Sequence, residues 1–145
     1  MKLPFLRSLA SLGEPALRQV VAAKAAGAQP AEVLRYLLSE LPDLLLAAVL
    51  DVASGQLLAT YAAERQYQPG VVAAPIVAVV RQLQAGPATQ TGEQVQEVLL
   101  TLTSQLHLLH LGANGRQVLY LAADARDTNL AIARQIARQA AAQLG

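Results

Sequence analysis

The residues of this chain whose types can do chemistry are His107 and His110, the carboxylates Asp51, Asp124 and Asp127, and the arginines Arg81, Arg134 and Arg138. In Gln105-Leu-His-Leu-Leu-His-Leu the histidines stand three apart on an expected strand. Side chains on a strand alternate faces, so the two rings point to opposite sides and do not share a metal ion. They read as structural or hydrogen-bonded histidines. Each aspartate ends an element, where carboxylates ordinarily cap turns and helices, so no acid–base pair is nominated. Arg81 lies near the end of an expected helix. A guanidinium placed there can offset charge developing on a phosphoryl group in a partner's site, but the helix macrodipole alone also favours it, and a solvated arginine is the simpler reading. Arg134 and Arg138 read as the wet face of the last helix.

Recognisable catalytic signatures are missing: the sequence has no Gly-x-x-x-x-Gly-Lys-Ser/Thr loop, no Gly-x-Ser-x-Gly elbow and no His-Glu-x-x-His helix. Without cysteine there are no disulfides, thiolate metal sites or cysteine nucleophiles, which agrees with a cytoplasmic location. No catalytic residue, cofactor-binding residue or metal ligand is therefore nominated, and an enzyme of unknown reaction is the least supported reading.

At 145 residues the chain is long enough for one domain with a real core, and 54% hydrophobic against 14% charged residues leaves little polar surface to cover it. Some apolar surface is expected to meet a partner. The net charge of +1 comes from scattered Lys and Arg, and with four Tyr and one Phe there are few rings to stack on bases, so nucleic acid is not an expected partner. Arg7, Glu14, Arg18 and Lys24 interrupt the apolar stretches of the N-terminus, which argues against an export signal. The uncharged run 69–80 is far short of the roughly 20 residues that span a bilayer, so membrane insertion is not expected.

These side chains need elements to hold them. Residues 44–61 carry two strands: LLLAAVLDV is apolar on odd and even positions, the pattern of a strand covered on both faces, and Ala53-Ser54-Gly55-Gln56 turns into an antiparallel neighbour, LLATY. The core is thus a sheet with helices on two sides. Upstream, residues 14–26 have helical spacing at Leu17, Val20, Val21 and Lys24, with Pro15 at a first helical position, and predict a short extra helix. Pro30 opens a second helix, with Val33, Leu34, Leu37, Leu38 and Leu41 on one arc, which Pro42 stops.

A turn at Gln68-Pro69-Gly70 leads to a central helix over residues 72–84, in which Pro75 is tolerable in the first turn. One face of that helix is expected to hold Val72, Ile76, Val79, Val80 and Leu83, the other Ala74, Val77, Ala78, Arg81 and Gln84. A helix apolar on both sides is buried on both, so Ala74, Val77 and Ala78 are the candidate subunit contacts. Residues 94–103, 105–111 and 117–122 read as strands, the last two joined by Asn114-Gly115, for five strands in all. A final helix starts near Asp127, Thr128 or Asn129 and puts Leu130, Ala133, Ile136, Ala137, Ala140 and Leu144 on one arc.

The order from Pro30 is helix, two strands, helix, three strands, helix. With LPDLLLAAVLDVASGQLLATY at the front, a polar loop and Ala-rich central helix in the middle, and DTNLAIARQIARQ at the end, it resembles the Roadblock/LC7 family in its bacterial small-GTPase regulator form. The likeness spans residues 30–144, which makes 30–145 the domain and 1–29 an N-terminal extension. Its most specific parts are Val49-Leu50-Asp51 before a Gly-containing turn, and Asn129-Leu130 opening a helix with regularly spaced arginines. This chain has Ala53-Ser54-Gly55 where the family more often has an Asp-Gly turn.

The resemblance implies a roadblock/profilin-like α+β fold: a five-stranded antiparallel sheet with the central helix on one face and the first and last helices on the other. It further implies homodimers joined through sheet edges and central helices, and binding of Ras-like small GTPases. The leading expectation is then a non-enzymatic homodimeric scaffold that binds and regulates such a GTPase through a composite surface, with Arg81 and Gln84 at its edge. A small-molecule-sensing α/β module is the alternative.

Overall fold

A computed structural model of the chain describes residues 17–86 and 90–145. In chain order the elements are β1 (Val21–Ala22), α1 (Gln29–Glu40), β2 (Leu46–Asp51), β3 (Leu57–Ala62), α2 (Pro69–Gln84), β4 (Glu97–Thr101), β5 (Gln105–Leu111), β6 (Gln117–Asp124) and α3 (Leu130–Ala141). All strand pairs are antiparallel, in the order β1-β3-β2-β6-β5-β4.

The apolar run that marks β2 in the sequence places it centrally, between β3 and β6, and its residues from Leu46 to Leu50 are all buried. Because successive side chains alternate, the pleat deals them to two cores. Ala47 and Val49 join Val33, Leu34 and Leu37 of α1 and Ile136, Ala137 and Ala140 of α3. Leu46, Ala48 and Leu50 join Ile76, Val77 and Val80 of α2. Among the described elements, two helices thus cover one face and one helix the other, the α+β arrangement expected.

The hairpins follow local chemistry. Gly55 and Gly115 have φ of 75° and 69°, the left-handed region where a side chain is disfavoured, and they sit at the two turns expected to contain them. Asn129 is the N-cap of α3: its Oδ1 accepts the Ile132 N–H at 3.1 Å.

Several expectations need correction. Among the described residues the sheet has six strands, because the described part of the segment expected as a helix over 14–26 is turn and strand; residues 14–16 lie outside the described residues. The competing force is the free edge of β3. The Arg18 N–H donates to the Ala62 carbonyl at 2.8 Å and the Ala23 N–H to the Leu58 carbonyl at 3.0 Å, while Leu17 and Val21 stay exposed and offer no helical face to bury. The strand expected over 94–103 is shorter, at Glu97–Thr101, and β6 runs on to Asp124.

The central helix begins at Pro69, so Pro75 lies in its interior instead of its first turn. Proline there removes the bond to the Val71 carbonyl one turn back. Both Val71 and Pro75 are on the exposed side, where water can serve that carbonyl. The phase of the helix also differs: Val77 is only 3% exposed and faces the sheet with Ala73, Ile76 and Val80, whereas Val79 and Leu83 face outward with Ala74 and Ala78. On a helix apolar all round, periodicity gives no phase.

Leu50 is fully buried between β3, β6 and α2. Replacing it by Ala leaves a cavity in a region packed from both sides, and Leu50→Ala is expected to cost roughly 2–5 kcal/mol. Urea denaturation with an unchanged m-value checks it; a loss well under 1 kcal/mol would mean that the site collapses or is wetted.

Candidate functional site

The outward side of α2 is built from Val71, Ala74, Pro75, Ala78 and Val79, with Leu83 a turn on. Val71 is 67% exposed, a large fraction for a valine in a helix. Glycine and alanine at Gly70, Ala74 and Ala78 keep this side low, and with Ser54, Gly55 and Leu57 they line a shallow depression of about 470 Å³ between the helix and the β2–β3 turn. Small side chains let another backbone approach closely. Of the three candidate subunit contacts, Ala74 and Ala78 are on this surface, while Val77 is inside the protomer.

α2 lies most closely over β2 and β3, and its inner side shares a core with Leu109 and Leu111 of β5 and Val118 and Tyr120 of β6. Farther along the sheet, β4 pairs only with β5 and has a free edge. Leu99, Leu100 and Leu102 are exposed there. Sequence reading missed these leucines because a strand with leucine on both faces looks like one covered on both.

Arg81, a candidate partner residue, is occupied within its own chain. Its Nε donates to the Val52 carbonyl at 3.0 Å and its Nη2 to the Ala53 carbonyl, so the guanidinium clamps the β2–β3 turn onto α2. The same turn is knit by Asp51, whose Oδ2 accepts the Ser54 N–H at 2.8 Å and the Ser54 hydroxyl at 2.7 Å. Those two bonds hold the Asp51 carboxyl below the ordinary aspartate range, with smaller help from Arg116 and Arg81. Gln84 is also engaged, its Nε2 donating to the Gly115 carbonyl at 3.3 Å.

Asp124 accepts the Arg126 N–H at 2.8 Å. Asp51 pairs with Gln117 at one end of β6 and Asp124 ends the other, so seven strand steps, roughly 23 Å, separate them. They do not form an acid–base pair. Arg134 makes an ion pair with Glu97, Nε to Oε1 at 2.6 Å, tying α3 to β4.

The histidines lie on opposite faces of β5, as their spacing requires. His110 is on the α3 side and His107 on the α2 side, where its Nδ1 is 2.9 Å from the Tyr120 hydroxyl and its Nε2 is 2.8 Å from Gln105 Oε1. An amide oxygen only accepts, so Nε2 carries the proton and Nδ1 accepts from Tyr120. Burial pushes the Tyr120 phenol up to about 12, which keeps it a donor, and burial lowers His107. The rings meet edge-on, with centroids 5.5 Å apart. Among the described residues, no group of three His, Asp or Glu side chains is placed to hold a metal, and no helix is long and apolar enough to cross a membrane.

Neither a family model nor a curated relative matches the sequence. Solved structures do resemble the chain. It is similar to MglB of Myxococcus xanthus, with a TM-score of 0.69 at 17% identity over 85% of this chain and 89% of that one. It is similar to the gliding protein MglB of Thermus thermophilus, with a TM-score of 0.68 at 24% identity over 90% and 94%. A Roadblock/LC7 domain of Streptomyces avermitilis aligns with a TM-score of 0.61 at 16% identity over 76% and 89%. The fold is therefore that of Roadblock/LC7 domains.

The lowered His107 makes stability depend on pH. As pH falls below the ordinary histidine value of 6.5, the unfolded chain binds a proton that the folded chain resists, so stability drops until pH passes the lower folded value and is level beyond it. His107→Gln is expected to flatten the part of the urea midpoint's pH dependence just below pH 6.5; parallel curves for variant and wild type would remove His107 as the cause.

Proposed function

We propose that the chain is a Roadblock/LC7-type homodimeric scaffold, without an active site of its own, that binds a Ras-like small GTPase and regulates its nucleotide cycle. The observation that carries this reading is the unpartnered apolar surface formed by the back of α2 and the free edge of β4. A second copy of the chain fits it. Antiparallel pairing of β4 with its own copy satisfies the edge N–H and C=O groups of both protomers, and a two-fold axis lets the same residues serve both sides. The second α2 then has the small-residue back of the first to pack on, and the exposed leucines of β4 leave water.

Dimerisation also supplies area for a further protein. One short helix is too little for a stable interface of about 800 Å² per partner, whereas two helices side by side with their flanking turns approach it. The function follows the likeness in fold and the implied family behaviour, and it agrees with side chains that offer surface complementarity instead of reactive groups. Arg81 contributes by holding the β2–β3 turn against α2. A catalytic finger role would require it to leave two backbone carbonyls.

Light scattering is expected to give twice the chain mass at micromolar concentration. Val79→Glu, exposed in the protomer but desolvated in the seam, should yield folded monomer, since the charge enters a symmetric interface twice. A monomeric wild type would overturn the dimer. Titration against Ras-like GTPases from the same source, loaded with GTP or GDP, should show binding to the wild type and its loss in the Val79→Glu monomer. No binding in either nucleotide state would remove the scaffold reading.

A further inference from the structure

A cleft of about 670 Å³ opens at the end of the sheet where α2 and α3 both finish. It lies between the last residue of α2, the segment 94–96 leading into β4, the turn 112–115 and the final turns of α3. Its size is within the roughly 300–1,000 Å³ typical of small-ligand sites. It is separate from the outward face of α2.

His110 is among the lining residues, 9% exposed, with Nδ1 3.1 Å from the Leu111 carbonyl. That contact makes Nδ1 the N–H donor and leaves the lone pair on Nε2. Among the described residues, Nε2 has no protein partner, and no buried side-chain nitrogen or oxygen is without one, so this acceptor is reached by solvent. The cleft is a cavity that His110 lines.

Arg138 lines the same cleft from α3. One turn earlier Arg134 is paired with Glu97, but among the described residues Arg138 has no such carboxylate, and no Asp or Glu lines the cleft. The remaining polar lining is amide, from Gln94, Gln96 and Asn114, with Val95 and Ala142 beside it. Among the described residues the walls therefore carry one permanent positive charge, one imidazole acceptor, and amide donors and acceptors around a partly apolar surface.

We infer that this cleft binds a small hydroxylated organic anion. The guanidinium of Arg138 takes the anionic group through paired N–H donors. His110 Nε2 accepts from a ligand hydroxyl, and the amides take the remaining oxygens. A guanidinium accepts either a carboxylate or a phosphate, so the shared requirement is an anionic head with a hydroxyl within reach of the imidazole. The site acts independently of the dimer surface, and either can fail without the other.

The test is calorimetric titration of the full chain with ribose 5-phosphate and with gluconate, which separate phosphate from carboxylate heads, and with inorganic phosphate as a head alone. At least one hydroxylated anion is expected to bind more tightly than inorganic phosphate. Arg138→Gln should weaken it about tenfold or more, as expected for loss of a charge-assisted contact, while Arg134→Gln leaves it largely intact. Nitrogen-resolved imidazole spectra should show His110 Nε2 shifting on titration while His107 does not. Failure of both hydroxylated anions to bind at millimolar concentration, equal binding of inorganic phosphate, unchanged affinity in Arg138→Gln, or an unmoved His110 signal would each overturn the inference.

Discussion

Burial of one strand on both faces is the constraint from which the rest of this structure follows. β2 has no wet side: Ala47 and Val49 are enclosed by α1 and α3, and Leu46, Ala48 and Leu50 by α2. A sheet centred on such a strand must carry a helical layer on each side. Here the layers are unequal. Two helices cover one side, while on the other the single α2 lies most closely over β2 and β3 and shares a core with β5 and β6, leaving the outer edge of β4 bare. The exposed leucines and the bare back of α2 follow from that shortfall.

Polar side chains act mainly as ties between elements. Arg81 holds the β2–β3 turn to α2 through two carbonyls, Asp51 closes that turn through Ser54, and Arg134 links α3 to β4 through Glu97. Tyr120 and His107 meet across β6 and β5 in one fixed tautomer. The part-buried ties of Arg81 Nε and of Tyr120 with His107 satisfy groups that folding takes from water, and the exposed ones help to fix the turns and strand positions on which the apolar layers rest.

The parts readable from sequence are those written in local pattern. β2 announces itself by apolar residues on both parities, α3 by Asn129 before a clear helical period, and the β5–β6 turn by Asn114-Gly115. What could not be read depends on distant neighbours. β1 exists because β3 has a free edge, not because Val21-Ala22 demands a strand. The rotation of α2 was hidden because alanine and valine occupy all its faces, so Val77 was expected outside and Val79 inside. Arg81 carried no sign in its own segment that the carbonyls of residues 52 and 53 would fold beneath it, and the cleft joins side chains from four separate stretches of chain.

The two edges of the sheet are finished differently. β1 is two residues long and offers almost nothing to template a new strand, whereas β4 has five residues and neither lysine nor proline to discourage pairing. Exposed edges of the second kind are the usual starting points of fibrils. In this chain, however, a copy that joins β4 through its own β4 turns its β1 outward, and the combined sheet then ends on a two-residue stub at each side. In the proposed dimer, growth in that direction would stop after one addition, with the two-residue β1 as the terminator that limits an adhesive edge to finite assembly.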